Sequence, residues 1–170
     1  LLDVGAGSGR STVMVLRERP NASVTALDIF AAGYGIDGNT PERLKRNAVA
    51  AGGADRLNIV TGDMRAMPLA ANSFEGVVSS FAIDHVSRED VRKSLGEVRR
   101  VLKPGGDFLL LVIRPDWYVR VAYPMAAEHG YVGPRDTQAR WKGELAEAGF
   151  ELIEVGHQPG TLYLLARSPD

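Results

Sequence analysis

The chain opens on a strand-like segment that runs directly into three alternating glycines, Leu1-Leu2-Asp3-Val4-Gly5-Ala6-Gly7-Ser8-Gly9. A helix-permissive segment, residues 10–19, follows at once. Glycine permits the sharp turn between strand and helix, and it lets a ligand approach backbone N–H groups that a Cβ would shield. A strand, a glycine turn and a helix in this order therefore predict a binding site for a ligand with a nucleotide-like part.

The glycine spacing separates the classes of nucleotide site. A dinucleotide fingerprint, G-x-G-x-x-G, would place its third glycine at position 10, which is Arg10. The glycines here follow G-x-G-x-G instead, and Asp3 stands two places before the first. A Walker phosphate loop is excluded because no G-K-[ST] follows. A tight strand-to-helix turn without a ligand is the plain structural alternative.

Strands and helices alternate along the chain, which predicts an α/β domain with a mainly parallel, doubly wound sheet. The predicted strands cover residues 1–4, 23–28, 57–61, 74–80, 107–113, 150–155 and 161–166, and the predicted helices cover residues 10–19, 41–51, 88–102 and 136–148. The last two strands are joined by a short turn at Gln158-Pro159-Gly160, too short for a crossover helix, so they should be antiparallel. We expect a seven-stranded sheet with an antiparallel C-terminal hairpin strand.

In glycine spacing, leading acid and terminal hairpin, the sequence resembles the class I, Rossmann-like S-adenosylmethionine-dependent methyltransferases of small-molecule type. The resemblance covers nearly the whole chain and implies S-adenosyl-L-methionine as cofactor and methyl transfer as reaction. It also implies a structural role for Lys103-Pro104-Gly105-Gly106, which ends a helix and turns the chain into a central strand. The alternatives are an NAD-dependent oxidoreductase, whose nucleotide domain usually stays parallel, and a non-catalytic S-adenosylmethionine-binding module of the same fold.

The resemblance implies cofactor contacts from acidic residues at strand ends, where open α/β sheets bind their ligands. Asp28 closes the second strand and should accept hydrogen bonds from both ribose hydroxyls, with Ile29 against the adenine face. Asp63 should accept from the adenine 6-amino group, and the backbone N–H of the neighbouring Met64 should contact a ring nitrogen.

The methionine part of the cofactor should lie near the ends of the first and fourth strands. Asp3 and the backbone of Gly5-Ala6-Gly7 should face its ammonium and carboxylate groups. Ser80 and Phe81, at and just past the end of the fourth strand, should line it. The Phe81 ring would add a cation–π contact to the sulfonium, and core packing is the alternative role for that ring.

His85 is the candidate general base. The segment Ser80-Phe81-Ala82-Ile83-Asp84-His85-Val86 resembles the equivalent loop of small-molecule methyltransferases, including those that methylate quinone precursors. Alignment and desolvation carry much of methyl transfer, and a base helps only where the acceptor must lose a proton. A His at a helix entry is also often a packing residue. His129 and His157 form no metal-ligand cluster with nearby acids, so no metal is predicted.

The charge and the amino-acid composition indicate which classes of molecule the chain is expected to bind. A formal net charge of −1 gives no large attraction to nucleic acid or anionic membranes. The basic residues of 88–103 alternate with acids, as on a solvated helix face. The absence of cysteine excludes the thiolate mechanism of cytosine C5 methylation and fits a cytoplasmic protein. We therefore predict a small-molecule acceptor and no nucleic-acid partner, and the sequence does not indicate an oligomeric state.

Two connections should border the acceptor pocket. Residues 114–135 carry Trp117, Tyr118 and Tyr123, and residues 29–39 are rich in glycine; long connections of this kind are often functional. With 170 residues the chain should form one domain. Because it begins inside a strand, we expect this domain, residues 1–170, to lack N-terminal elements of a longer parent chain, which leaves an upstream targeting or anchoring segment open.

Overall fold

The computed structural model describes residues 1–31, 38–122 and 137–170. The helices and strands in chain order are β1 (Leu2–Val4), α1 (Arg10–Glu18), β2 (Val24–Asp28), α2 (Pro41–Ala50), β3 (Leu57–Thr61), β4 (Phe74–Ser80), α3 (Arg88–Val101), β5 (Leu102–Ile113), α4 (Trp117–Ala122), α5 (Thr137–Glu147), β6 (Glu151–Gln158) and β7 (Thr161–Arg167). Two short 3₁₀ turns cover Ala54–Arg56 and Ile83–His85.

The strands form one seven-stranded sheet in the order β3-β2-β1-β4-β5-β7-β6. The five strands β1 to β5 pair in parallel, whereas β7 is antiparallel to both β5 and β6. The chain leaves β1 first toward β2 and later toward β4, so the order reverses between β1 and β4. Open sheets of this kind bind ligands at that switch point. The predicted fold class, including the inserted C-terminal hairpin strand, is confirmed.

The middle of the sheet is fixed by strands whose side chains are fully buried. Leu2 and Val4 of β1 have no exposed surface, and neither do Phe108 and Leu110 of β5. The Phe108 ring lies 5.4 Å from that of Phe150, which joins the central strand to the segment before β6. Strand β1 pairs with β2 on one side and with β4 on the other, and the turn that follows it contributes to the site below.

Helix α4 was not predicted, since the sequence analysis treated residues 114–135 as a long irregular connection. Asp116 starts this helix by accepting the backbone N–H groups of Tyr118 at 3.0 Å and Val119 at 3.3 Å, as a helix-capping acid does. Its other oxygen accepts the N–H of Gly160 at 2.9 Å, so it also fixes the β6–β7 turn. The capping acid directly after Pro115 was the signal for a helix start.

Ion pairs explain part of the basic surface of α3. Glu144 of α5 is buried, and its oxygens accept Nε of Arg88 at 2.6 Å and Nε of Arg92 at 3.3 Å. The side chains of Arg88 and Arg92 are 64% and 51% exposed, which agrees with the predicted solvated face, and both also hold α5 against α3. No helix in the described part of the chain has the length and apolar character needed to cross a membrane.

Candidate functional site

A pocket of about 310 Å³ lies at the carboxyl ends of β1, β2, β3 and β4. Its volume is typical of sites that bind small molecules. The residues that line it come from four turns and from the start of α2: Gly5, Leu27, Asp28, Ile29, Asn39, Gly62, Asp63, Met64, Arg65, Phe81, Ala82, His85 and Val86.

The structure brings most of the predicted site residues to this pocket. Seven of them are among its described lining residues: Gly5, Asp28, Ile29, Asp63, Met64, Phe81 and His85. Four do not line it: Asp3, Ala6, Gly7 and Ser80. Among the lining residues that sequence reasoning missed, Asn39 and Arg65 carry polar groups. Asn39 lies in the glycine-rich segment that was expected to border the pocket, whereas no sequence pattern indicated Arg65.

The glycine turn uses its backbone N–H groups inside the protein. All three glycines have left-handed backbones, with φ of 72°, 54° and 90°. The N–H groups of Gly5 and Ala6 both donate to the carbonyl oxygen of Leu27, at 2.8 and 3.1 Å. The N–H of Gly7 donates to Oδ2 of Asp28 at 2.8 Å. These three N–H groups, which the sequence suggested for ligand contact, instead hold the turn against the end of β2.

Asp28 is a firmly held carboxylate at the pocket wall. Oδ1 accepts the backbone N–H of Phe30 at 2.7 Å and Nδ2 of Asn39 at 3.3 Å, while Oδ2 accepts Gly7. The amide oxygen of Asn39 is buried and has no hydrogen-bond partner among the residues that the structure describes. Buried acceptors are rarely left unpaired. The Asp28–Asn39 corner of the pocket therefore fits a ligand that donates hydrogen bonds, such as a sugar with free hydroxyls.

Asp63 lies on the β3 side of the pocket. The guanidinium of Arg65 donates to it, with Nη2 at 2.6 Å from Oδ2. The same guanidinium holds the pKa of the Asp63 carboxyl below its usual range. Asp63 therefore presents an ionised acceptor opposite the Asp28–Asn39 corner.

Asp3 lies beneath the glycine turn and is fully buried. Oδ2 accepts the hydroxyls of Ser11 at 2.7 Å and Thr12 at 2.5 Å, so Asp3 ties β1 to the first turn of α1. Oδ1 is buried and has no hydrogen-bond partner within residues 1–31, 38–122 and 137–170. Burial raises the pKa of Asp3 to about 6, and the nearby charge of Asp28 adds to the rise. The turn is thus built over a carboxylate that is costly to ionise.

The neighbouring residues Ser80 and Phe81, at the end of β4, differ in backbone conformation and in the cavities that they line. Phe81 adopts a left-handed backbone with φ of 53°, which is uncommon for a bulky residue, and its N–H donates to the carbonyl of Leu111 at 2.9 Å. Strained residues of this kind cluster at functional sites. Phe81 lines both the pocket and a wide groove along the sheet, whereas Ser80 borders the groove and not the pocket.

His85 faces the pocket without a hydrogen-bonded acid. Its Nε2 lies 4.0 Å from Oδ1 of Asp84, beyond hydrogen-bonding distance, and its side chain is 44% exposed. The other oxygen of Asp84, Oδ2, accepts the backbone N–H of Ile113 at 2.9 Å. Burial raises the pKa of the Asp84 carboxyl. The two neighbours therefore do not form a catalytic pair in this structure.

Two residues considered from the sequence, Tyr123 and His129, lie outside the described residues, as do residues 32–37. Within the described ranges, no three His, Asp or Glu side chains are grouped so as to hold a metal ion.

A family model described as "Methyltransferase domain" matches residues 1–106. The chain belongs to this methyltransferase family. The match covers the glycine turn and each strand end that lines the pocket.

Individual relatives agree with this assignment. The ubiquinone/menaquinone biosynthesis C-methyltransferase UbiE of Cereibacter sphaeroides is 39% identical over 111 residues, which cover 65% of this chain and 41% of that protein. The biotin biosynthesis bifunctional protein BioHC of Teredinibacter turnerae is 28% identical over 170 residues, which cover 96% of this chain and 28% of that protein. The chain therefore spans less than half the length of these curated relatives.

A solved structure shows the same fold. The 1,6-didemethyltoxoflavin-N1-methyltransferase of Burkholderia thailandensis, with bound 1,6-didemethyltoxoflavin and S-adenosylhomocysteine, superposes with a TM-score of 0.73 at 21% identity. The superposition covers 99% of this chain and 70% of that one.

The pocket of this methyltransferase domain fits the family's cofactor, S-adenosylmethionine. The unpaired amide oxygen of Asn39 lies beside the Asp28 carboxylate, where ribose hydroxyls would donate. The described lining residues include the acids Asp28 and Asp63 and the basic Arg65, which pairs with Asp63, so their net charge is −1, which suits a ligand that carries a sulfonium and an ammonium group. Membership of the methyltransferase family leaves the NAD-dependent oxidoreductase alternative without support.

Proposed function

We propose that the protein containing this chain transfers a methyl group from S-adenosylmethionine to a small-molecule acceptor. One observation carries the proposal: the pocket gathers Asp28, Asn39, Asp63 and His85 at the ends of neighbouring strands. The bound cofactor supplies a methyl group on a positively charged sulfur, and the neutral thioether that remains after transfer is a good leaving group. The residues of the chain would bind and align it, and alignment carries much of the acceleration in such a displacement.

Each pocket residue has a separate task in this proposal. Asp28 and Asn39 hold the ribose, and Asp63 accepts from the adenine amino group. Ile29, which is 45% exposed at the pocket wall, packs against the adenine face. Gly5 presents no side chain, which keeps the pocket wall flat beneath the cofactor.

We further propose that the acceptor is a quinol-type aromatic ring methylated at carbon. The support is the similarity to UbiE, whose name places it as a C-methyltransferase of ubiquinone and menaquinone biosynthesis. Methylation at a ring carbon releases a proton, so a base near the acceptor is useful. His85 is the imidazole of the pocket and is accessible to such an acceptor.

Asp28→Asn is expected to weaken binding of S-adenosylhomocysteine about 30-fold. The variant keeps the shape of the side chain but removes the charge that strengthens the ribose hydrogen bonds, a loss of about 2 kcal/mol. Its amide nitrogen also replaces an oxygen that accepts the N–H of Gly7 or of Phe30, so urea unfolding of the variant checks that the fold is retained. Isothermal titration calorimetry with S-adenosylhomocysteine measures it. Asp55→Asn, in the exposed turn after α2, is the control and should bind like the wild type. Equal affinities for wild type and Asp28→Asn would remove Asp28 from the site.

His85→Asn is expected to lower kcat with a 1,4-naphthoquinol acceptor by on the order of 100-fold, with unchanged affinity for S-adenosylhomocysteine. A general base acts on the acceptor proton, so its loss should leave cofactor binding intact. Transfer of a radiolabelled methyl group measures kcat, and calorimetry measures the affinity. A loss of affinity in this variant would make His85 a binding residue instead. Wild-type binding of S-adenosylhomocysteine without turnover of any acceptor would favour the non-catalytic module.

A further inference from the structure

Arg65 is the cationic side chain closest in sequence to Asp63, and it lies in the wall of the proposed cofactor pocket. Its Nε lies 2.9 Å from Oδ1 and 3.0 Å from Oδ2 of Asp63, and its Nη2 lies 2.6 Å from Oδ2. The backbone N–H of Arg65 adds a hydrogen bond to Oδ1 at 2.8 Å. A planar guanidinium bound in this forked way fixes the orientation of a carboxylate, which a lysine ammonium would not do.

These contacts leave one side of the Asp63 carboxylate free to accept. A carboxylate has about four acceptor positions, two on each oxygen. Oδ1 accepts hydrogen bonds from the backbone N–H and from Nε of Arg65. Oδ2 accepts a hydrogen bond from Nη2, and its second contact is with the same Nε–H that already donates to Oδ1. Oδ2 thus retains an acceptor position, and its direction is set by Arg65. The side chain of Asp63 is 32% exposed, so a ligand in the pocket has access to it.

The other end of the guanidinium reaches across the pocket to α3. Nη1 of Arg65 lies 3.3 Å from Oδ2 of Asp90. Asp90 belongs to the start of that helix, where its N–H donates to the Ser87 hydroxyl at 3.2 Å and its Oδ2 accepts from it at 3.0 Å. His85 and Val86 of the pocket wall directly precede this helix start. Arg65 therefore joins the turn after β3 to the turn after β4 by side-chain contacts alone.

We propose that Arg65 is a positioning residue that sets the preference of this site for a 6-amino purine over a 6-oxo purine. Held by Arg65, the Asp63 carboxylate offers one oriented acceptor to an exocyclic amino group and repels a carbonyl oxygen at the same place. Freed from Arg65, the carboxylate would rotate, and it would distinguish the two purines less. The inference rests on the proposed function, because it takes the adenine of the cofactor as the group that meets Asp63.

The test compares the affinities of S-adenosylhomocysteine and S-inosylhomocysteine, which differ at the purine 6-position, by calorimetry. The wild type should favour the adenosyl compound, and Arg65→Ala should lower the ratio of the two affinities about tenfold. Arg65→Lys should restore the ratio only in part, because lysine keeps the charge but loses the fork. Arg167→Ala is the matched control: this arginine pairs with Asp107 at 2.9 Å and is similarly exposed, away from the pocket.

Further variants distinguish a positioning role of Arg65 from a direct effect of Arg65 on cofactor binding. In an Asp63→Asn background, Arg65→Ala should have no further effect on the ratio, since the two residues act as a unit. If Arg65→Ala lowers the affinities for both compounds by the same factor, the proposal is wrong. It is also wrong if Arg65→Ala raises the affinity for the adenosyl compound, because Arg65 would then compete with adenine for Asp63. If the wild type binds neither compound, the proposed function fails as well. If it binds the adenosyl compound and the ratio does not change in Arg65→Ala, the Arg65 proposal alone fails.

Discussion

Gly5→Ala is expected to abolish binding of S-adenosylhomocysteine and to lower the free energy of unfolding by about 2 to 5 kcal/mol. Two costs add at this position. The left-handed backbone, with φ of 72°, disfavours a residue with a Cβ by about 1 to 2 kcal/mol. The new Cβ would also overlap the Cβ of Ala82, and relief of such overpacking costs about 1 to 3 kcal/mol. Urea unfolding followed by circular dichroism gives the stability, and calorimetry gives the binding.

Gly52→Ala separates the two costs. Gly52 has nearly the same backbone conformation, with φ of 70°, but nothing lies within 4 Å of a Cβ added there. This variant should therefore lose only about 1 to 2 kcal/mol and should bind S-adenosylhomocysteine like the wild type. Equal destabilisation in the two variants would show that the contact between Gly5 and Ala82, which closes the floor of the pocket, contributes nothing.

Local sequence patterns were enough to predict most of the fold. Six of the seven predicted strands fall within three residues of the observed ones, and the short turn at Gln158-Pro159-Gly160 correctly indicated an antiparallel hairpin. The seventh, β5, begins five residues before the predicted strand, at Leu102, so Lys103-Pro104-Gly105-Gly106 belongs to the strand and not to a turn before it. Helix α4 was also missed, because a capping acid and its two N–H donors outweigh the irregular character of the segment. Turns, helix caps and hydrophobic periodicity depend on residues that are close in sequence, so they can be predicted without a structure.

Only those residues of the candidate site that follow parallel strands could be predicted from the sequence. Asp28 and Asp63 follow parallel strands, so their arrival at one edge of the sheet was foreseeable. Arg65 bonds to Asp90, which is 25 residues away, and Asn39 bonds to Asp28, which is 11 residues away. Contacts of this kind leave no period or spacing in the sequence.

The separation of Ser80 from Phe81 also has a physical cause. Successive residues of a strand point to opposite faces of the sheet, so two neighbours at a strand end rarely line the same pocket. Ser80 ends β4 and borders the groove, while the left-handed backbone of Phe81 turns the chain back over the pocket. The sequence analysis placed both side chains against the cofactor, and only Phe81 lies at this pocket.

Asp3→Asn is expected to stabilise the protein by about 3 kcal/mol at pH 7.5 and to leave its stability almost unchanged at pH 3.5. Burial raises the pKa of Asp3 from 3.8 to about 6, so the folded state binds more protons than the unfolded state between these values. The stability that this group contributes is fully present below pH 3.8 and is lost as the pH rises through 6. Two pKa units correspond to about 3 kcal/mol. Asparagine avoids this loss because it stays neutral, and its oxygen can accept from Ser11 and Thr12.

Urea unfolding at intervals from pH 3.5 to 8 measures the difference between Asp3→Asn and the wild type, with Asp55→Asn as the exposed control. A difference that does not depend on pH would show that ionisation of Asp3 carries no penalty in the folded state. Asp3 is fully buried and does not line the pocket, so its charge can act on the ammonium group of the cofactor only across the glycine turn, and we expect Asp3→Asn to weaken binding of S-adenosylhomocysteine only slightly. Among the described residues Oδ1 of Asp3 has no hydrogen-bond partner, and a buried carboxylate without a full set of partners opposes folding. A variant that is more stable and binds slightly less well would show that the Asp3 charge favours cofactor binding at a cost in stability.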